Sequence, residues 1–471
     1  MRNIVLLCLD TVRKDYFDEF APRVTERADT VYHQCRAASG WSVPSHASMF
    51  TGELPHVHGV HTHARDFTRI EPTETFLTDL PDHARIGIST NAYASRYYGF
   101  DSFFDEFAQV SHAGAFQFDH ALSPRDPDLW DVGYLEYLRR ALVDARPIRS
   151  LANGVLATVN PYDFCFSGRP WPELQDTGTK KALSEATSRI VTAERTDRPV
   201  FAFLNLMEAH VPLSHHRGLN PDLHSVPHSW TSKDGPSAKD VNRHPAQYRE
   251  YVQNYEQLYS ASIDYLDRLV DAWIDEIQQQ TEHPTTVVIT ADHGENLGSA
   301  AEEDRFEHHS SLSEAILHVP LVLVNPPDGY PDTETKLVSH LELGELLVSL
   351  ARGEGYSFSD GPVTAEVIGH TGENPGGAYW DRLIRCMYAD HRKLRWDSLG
   401  TTAVFELNLD TETGVTRTTT DGMDGFPAED TLLFESDILT TKRMALECEP
   451  HPNEHVVEGE RKRQLAQLGY L

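Results

Sequence analysis

Short apolar runs, each closed by a polar or turn residue, recur along the chain at residues 4–9, 200–206, 286–290 and 319–324. Each is too short and too rich in β-formers for a buried helix, so each predicts a strand buried on both faces. Between the second and third runs the period changes. Within residues 246–279, Tyr255, Leu258, Tyr259, Ser262, Ile263 and Leu266 recur at i, i+3 and i+4, which predicts a long helix with one apolar face. Strands alternating with helices predict an α/β fold, a central sheet flanked by helices. In such sheets ligands bind beyond the carboxyl ends of the strands. The residues found there are Asp10 after the first run, Glu208 and His210 after the second, and Asp292 with His293 after the third.

From residue 356 onward the runs shorten to 383–388, 393–396 and 403–407, separated by Asp, Gly and Asn. That spacing predicts a small antiparallel sheet. Residues 109–196 are rich in Pro, Gly, Asp and aromatic side chains with weak periodicity, and read as an insertion or lid. The expected organisation is a catalytic domain over residues 1–355 and a C-terminal subdomain over 356–471, its last residues 461–471 helical or frayed. A chain of 471 residues suits one large unit with a smaller appendage.

Charge narrows the class. Acidic residues number 72 against 41 basic, giving a formal charge of -31, and only nine of the basic residues are lysine. Such a surface repels nucleic acid and anionic membranes, while a hydrophobic content of 39% is enough for a core. The lysine scarcity beside the charge predicts a halophilic protein, since high salt screens the repulsion among carboxylates; ordinary acidity is the plainer alternative. Cys8, Cys35, Cys165, Cys386 and Cys448 are scattered without a C-x-x-C pair, so neither a disulfide framework nor a zinc knuckle is expected. No run approaches the ~18 apolar residues of a membrane span. A strand-like run beginning at residue 3 leaves no room for a secretory leader. The expectation is a soluble, cytoplasmic protein with neither nucleic-acid partner nor membrane insertion.

Five segments carry candidate chemistry. In Leu9-Asp10-Thr11 a carboxylate follows a strand, a rigid place for a ligand to a hard cation; alone, it reads better as a turn cap. Ser42-Val43-Pro44-Ser45-His46-Ala47-Ser48 leads through a short apolar helix to Thr51-Gly52. Pro44 in the first helical turn puts Ser42 at the helix start, where free N–H groups favour an anion, although a plain N-cap serine explains the segment too. Asp292-His293-Gly294-Glu295 offers carboxylate oxygen and imidazole nitrogen, a set suited to Mn, Mg, Ca or Zn, with a glycine that lets the backbone turn. Adjacent residues of a strand point to opposite faces, so this pair belongs in the loop beyond it. His210-Val211-Pro212 and His308-His309 complete the set, their three histidines among 25, most of which are expected at the surface.

These five elements, in this order, resemble the sulfatase family of the alkaline phosphatase superfamily. Members typically open with a strand ending in Asp, then have Cys or Ser-x-Pro-Ser-Arg-Ala-Ser before Thr-Gly, then His-x-Pro, Ser-Asp-His-Gly-Glu, and a His-containing loop before Val-Pro-Leu. Here the last two read Ala291-Asp292-His293-Gly294-Glu295 and His309 before Val319-Pro320-Leu321. Gly99-Phe100-Asp101, Lys393-Leu394 and Phe405-Glu406-Leu407 look like secondary landmarks of the same family. The resemblance implies an alkaline phosphatase-like central sheet flanked by helices, with a small C-terminal antiparallel sheet and helix. It implies a divalent cation on Asp10, Ser42, Asp292 and His293, with Ser42 as nucleophile and His210 and His309 facing the substrate's anionic group or its leaving oxygen.

Three departures bear on mechanism: the serine at position 42 itself, His46 and Thr11. The arginine that accompanies conversion of the nucleophile to formylglycine is His46, and the second aspartate of a common Asp-Asp pair is Thr11. Both favour an unmodified serine hydroxyl, with His46 counted among the catalytic residues, and a ligand set that also resembles manganese-dependent phosphoglycerol transferases. The expected activity is metal-dependent hydrolysis of a sulfate ester, on a small-molecule or glycan substrate, through Ser42 or its formylglycine form. The alternatives are a phosphomonoester or phosphodiester hydrolase, a phosphoglycerol-type transferase, and, third, a catalytically silent anion-binding protein.

Overall fold

The computed structural model describes residues 2–110, 121–122, 134–156, 165–166, 169–170, 176, 178–216, 218–233, 235–299, 302, 304–370, 377–389, 391–408, 414–419, 426, 434 and 436–448. Within them the first apolar run forms β1 (Asn3–Leu9), all seven of whose residues are buried. The strands that follow are β2 (Thr30–Arg36), β3 (Ala84–Ser89), β4 (Glu106–Gln109), a two-residue hairpin of β5 (Cys165–Phe166) and β6 (Arg169–Pro170), and β7 (Val200–Leu206). Next come β8 (Thr285–Thr290), β9 (His318–Val324) and β10 (Thr333–Ser339). One sheet takes the order β10-β2-β9-β8-β1-β7-β3-β4. Every neighbour pair in it is parallel except those that β9 makes with β2 and β8.

The four runs that predicted buried strands are β1, β7, β8 and β9, all four adjacent in the centre of the sheet in the order β9-β8-β1-β7, the last three mutually parallel. Parallel pairing places the carboxyl ends of these three at one edge. The predicted helix spans Arg249–Gln280, a segment without Gly or Pro, and buries all six residues of the predicted face together with Val270, Trp273, Ile274 and Ile277. Each such apolar side chain, taken fully out of water, contributes about 1.5–3 kcal/mol. The helix Thr179–Glu194 packs beside it, where Trp273 Nε1 donates to Leu183 O at 3.1 Å and Thr187 Oγ1 at 2.9 Å. That helix falls within the stretch read as an insertion or lid; much of the rest of that stretch lies outside the described residues, as do residues 461–471.

The second sheet is antiparallel, as expected, in the order β11 (Thr364–Ile368), β12 (Leu383–Ala389), β13 (Arg392–Asp397), β14 (Thr402–Asn408) and β15 (Gly414–Thr419). A helix at Ile438–Leu446 lies against it, capped by Asp437, which accepts from the N–H groups of Leu439 and Thr440. Buried ion pairs tie this sheet to the large one. Glu314 holds Arg36 of β2 at 2.9 Å and Lys393 of β13 at 2.8 Å, while Glu366 of β11 bonds Arg385 of β12 within the small sheet at 2.7 Å and reaches His56, outside it, at 3.0 Å. Removing one member of such a pair leaves a buried charge alone, which is why these polar groups are fixed as firmly as the apolar core. No described helix is long and apolar enough to cross a membrane.

Candidate active site

Asp10 is the first residue beyond β1, and its N–H still bonds Leu206 O of β7 at 2.9 Å, so the strand end fixes it. Asp292 and His293 follow the end of β8 in a loop, as the alternation argument required. Gly294 lets that loop turn. Its N–H bonds Ile316 O at 2.7 Å, and a Cβ there would lie 2.0 Å from Ala315 O, a space only glycine can occupy.

Ligand atoms of Asp10, Asp292 and His293 lie within 4.8 Å of one another, all three residues buried. Asp10 Oδ2 accepts from Asn91 Nδ2 at 2.6 Å and Asn205 Nδ2 at 3.2 Å, while Oδ1 has no hydrogen-bond donor. Asp292 Oδ1 accepts from its neighbour's N–H at 3.0 Å, and Oδ2 has none. His293 Nδ1 donates to Gly294 O at 2.8 Å, which fixes the tautomer and leaves the Nε2 lone pair for the cluster. Burial, then the neighbouring His308, hold the His293 pKa down at about 3, so the ring is neutral. Two buried carboxylate oxygens without donors and a neutral imidazole fit a divalent cation, whose charge would offset the cost of burying both carboxylates.

Ser42 opens the helix Ser42–Thr51, and the cap position belongs to Trp41, so the serine is not a plain N-cap. Its Oγ lies 3.4 Å from His293 Nε2 and accepts from Asn91 Nδ2 at 3.2 Å. The unpaired N–H groups of that first turn favour an anion beside the hydroxyl. One turn later, His46 Nδ1 donates to Ser42 O at 2.6 Å, and its Nε2 accepts from Asn205 Nδ2 at 3.1 Å. The His46 ring is fully buried between Phe100 and Phe203.

His210 is buried with Nδ1 donating to Val211 O at 2.7 Å and Nε2 3.9 Å from Asp10 Oδ1. Of the adjacent pair, His308 is the nearer to the cluster, its ring 4.6 Å from that of His293 and 5.4 Å from that of His210. His309 lies one ring further out, 5.7 Å from His308, pairing with Glu307 at 3.2 Å and stacking on His370 at 4.6 Å. Glu295 accepts from His308 Nδ1 at 3.1 Å and Tyr255 OH at 3.1 Å. Burial, then Glu307, push its pKa up to about 8. Glu208, beyond the same strand as His210, turns to His216 at 3.2 Å and the Thr179 hydroxyl at 2.8 Å. Asn91 and Asn205 went unmarked in the sequence. Asn205 did leave a signal, a lone amide inside the otherwise apolar strand β7.

A sequence profile of the Sulfatase family matches residues 2–353. The chain belongs to the sulfatase family. Membership makes it a hydrolase of sulfate or phosphate esters. Among solved structures, a phosphonate monoester hydrolase of Agrobacterium radiobacter superposes with a TM-score of 0.53 at 14% identity, covering 86% of this chain and 89% of that one. A 2-O GAG sulfatase gives 0.51 at 13%, covering 86% and 85%. A protein of the alkaline phosphatase superfamily from Vibrio parahaemolyticus gives 0.50 at 11%, covering 100% and 88%. At such identities the likeness is one of fold. Among proteins of curated function, none matches the sequence.

Proposed function

We propose that this sulfatase-family chain hydrolyses a sulfate ester of a small molecule or glycan, with the Ser42 hydroxyl as attacking group. The observation that carries the reading is the position of Ser42 Oγ at a helix start, 3.4 Å from His293 Nε2 and sharing the Asn91 amide with the Asp10 carboxylate. Asp10, Asp292 and His293, with the Ser42 oxygen, would hold a divalent cation (Ca, Mn, Mg or Zn), which would supply Lewis-acid stabilisation and lower the pKa of the hydroxyl. Asn91 orients that hydroxyl. The Ser42 hydroxyl gives its proton to His210 Nε2 as its oxygen bonds to sulfur, and His210 delivers that proton to the leaving oxygen as the bond from sulfur to it breaks. His309, further out and paired with Glu307, faces the leaving group. Water then attacks the sulfur, releasing sulfate and restoring the hydroxyl. His46 serves as a positioning residue, since both its nitrogens are bonded to Ser42 O and Asn205.

A second reading replaces sulfur with phosphorus. It is favoured by the imidazole of His46 where formylglycine formation calls for arginine, because a plain serine is a competent nucleophile for phosphoryl transfer. One experiment separates the two: rates on an aryl sulfate, a phosphate monoester and a phosphodiester, each with Mn, Mg, Ca and Zn at high salt. The sulfate reading requires kcat/KM to be highest on the aryl sulfate. Turnover of phosphoesters alone overturns it, and no turnover with any of the panel would return the chain to a silent anion binder.

A further inference from the structure

The loop beyond β7 carries five histidines within residues 210–228. His210 belongs to the site above, and His216 pairs with Glu208. The remaining three, His215, His224 and His228, gather on their own. The loop is pinned at its base, where Leu213 N–H bonds Ser232 Oγ at 2.7 Å and Ser232 N–H bonds Leu213 O at 2.8 Å. Above that closure the His215 ring sits 3.8 Å from the ring of His228 and 5.1 Å from that of His224.

Two details point to a ligand. The Nδ1 atoms of His215 and His228 are 3.1 Å apart. Two nitrogens on one tetrahedral ion, each at ~2.0–2.1 Å, stand roughly 3.3 Å from one another. His224, in turn, has both ring nitrogens closed to solvent and neither with a hydrogen-bond partner among the described residues. The side chain is half-buried, but polar atoms closed to water without a partner are costly unless something else satisfies them.

We propose that His215, His224 and His228 form a second metal site, separate from the one at Asp10, that takes a late first-row divalent cation of the zinc type. The His215 and His228 nitrogens provide a preset pair; the His224 nitrogens do not converge with them as placed, and rotation of that side chain would add the third. An all-imidazole set selects Zn, Ni or Cu over Ca and Mg, which call for oxygen. The ion would staple the loop that carries Glu208 and His210 to the edge of the active site, so its role is to hold that edge in place.

The test is zinc stoichiometry in the full-length protein. Metal-free wild type and the His293→Ala variant are loaded with Zn, freed of excess, and analysed for bound metal. The expected result is two equivalents in wild type and one in His293→Ala, the latter resistant to Ca and Mg. His228→Gln should remove one equivalent from wild type, and adding it to His293→Ala should remove the last. Co2+ in place of Zn should give the visible absorption of a tetrahedral site in His293→Ala, lost with His228→Gln. Zinc content unaffected by His228→Gln and by His215→Ala, in protein with wild-type circular dichroism, overturns the proposal. A His293→Ala protein that retains no zinc overturns it as well.

Discussion

Asn91 donates to the Asp10 carboxylate at 2.6 Å through the same nitrogen that reaches Ser42 Oγ at 3.2 Å. One amide therefore fixes a metal ligand and the attacking hydroxyl relative to each other. A hydrogen bond to a charged group contributes about 1.5–3 kcal/mol, so Asn91→Ala should lower kcat/KM roughly ten- to hundredfold and weaken metal binding. Steady-state kinetics across a metal titration checks both. Unchanged kcat/KM and metal affinity would mean that other groups orient the pair.

Why Asn91 escaped the sequence, while Asp10 and Asp292-His293 did not, is a matter of burial. Strands covered on both faces leave continuous apolar runs, and the residue that breaks such a run is visible. β2 left no such run, because His33, Gln34 and Arg36 interrupt it; the charge of Arg36 is met there by Glu314, a partner 278 positions away. β3 ends in Ser89 at the same sheet edge and leads to Asn91, yet its short run carries no periodicity to single it out. His308 and His309 differ by one position, and the fold alone decides which ring faces His293.

Removing a metal ligand should remove the metal. Asp292→Ala and His293→Ala each leave an incomplete donor set, and both should lose bound cation at the Asp10 site together with turnover. Elemental analysis with the second histidine cluster disabled reads this site alone. Normal rates in either variant would take that residue out of the machinery.

Gly294→Ala tests the loop rather than the ligands. The added methyl would meet Ala315 O at 2.0 Å, a backbone atom that cannot swing away, and overpacking of this kind costs typically ~1–3 kcal/mol. The expected outcome is a melting temperature lower by several degrees and weaker metal binding, since His293 adjoins the displaced segment. A melting temperature and metal affinity equal to wild type would show that the loop has more room than its geometry allows.

Salt should stabilise this protein. A net charge of -31 repels itself over a Debye length that falls from ~30 Å at 0.01 M to ~3 Å at 1 M. Screening also weakens exposed ion pairs such as Arg27 with Asp275, but each of those is worth only ~0–1 kcal/mol. The repulsion dominates, so the melting temperature should rise across a KCl series followed by circular dichroism. A flat or falling trend refutes adaptation to high salt.

Ser42 offers the most discriminating measurement. An unmodified serine gives a peptide spanning residue 42 with its unaltered mass, whereas formylglycine shows the loss of two hydrogens. His46 predicts the unaltered mass: its ring bonds Ser42 O and Asn205 and is fully buried within the fold, and the arginine of the modification sequence is absent. Ser42→Ala should then be inactive while retaining weak metal binding through Asp10, Asp292 and His293. Ser42→Thr should keep part of the rate, because a secondary hydroxyl can still attack. The buried helix start leaves little space for its extra methyl, so the loss should exceed tenfold. Formylglycine in the purified protein would discard the plain-serine mechanism and put an aldehyde hydrate in its place. A phosphorylated Ser42 trapped from a phosphoester would keep the serine and exchange sulfur for phosphorus, with His210 still the group that protonates the leaving oxygen.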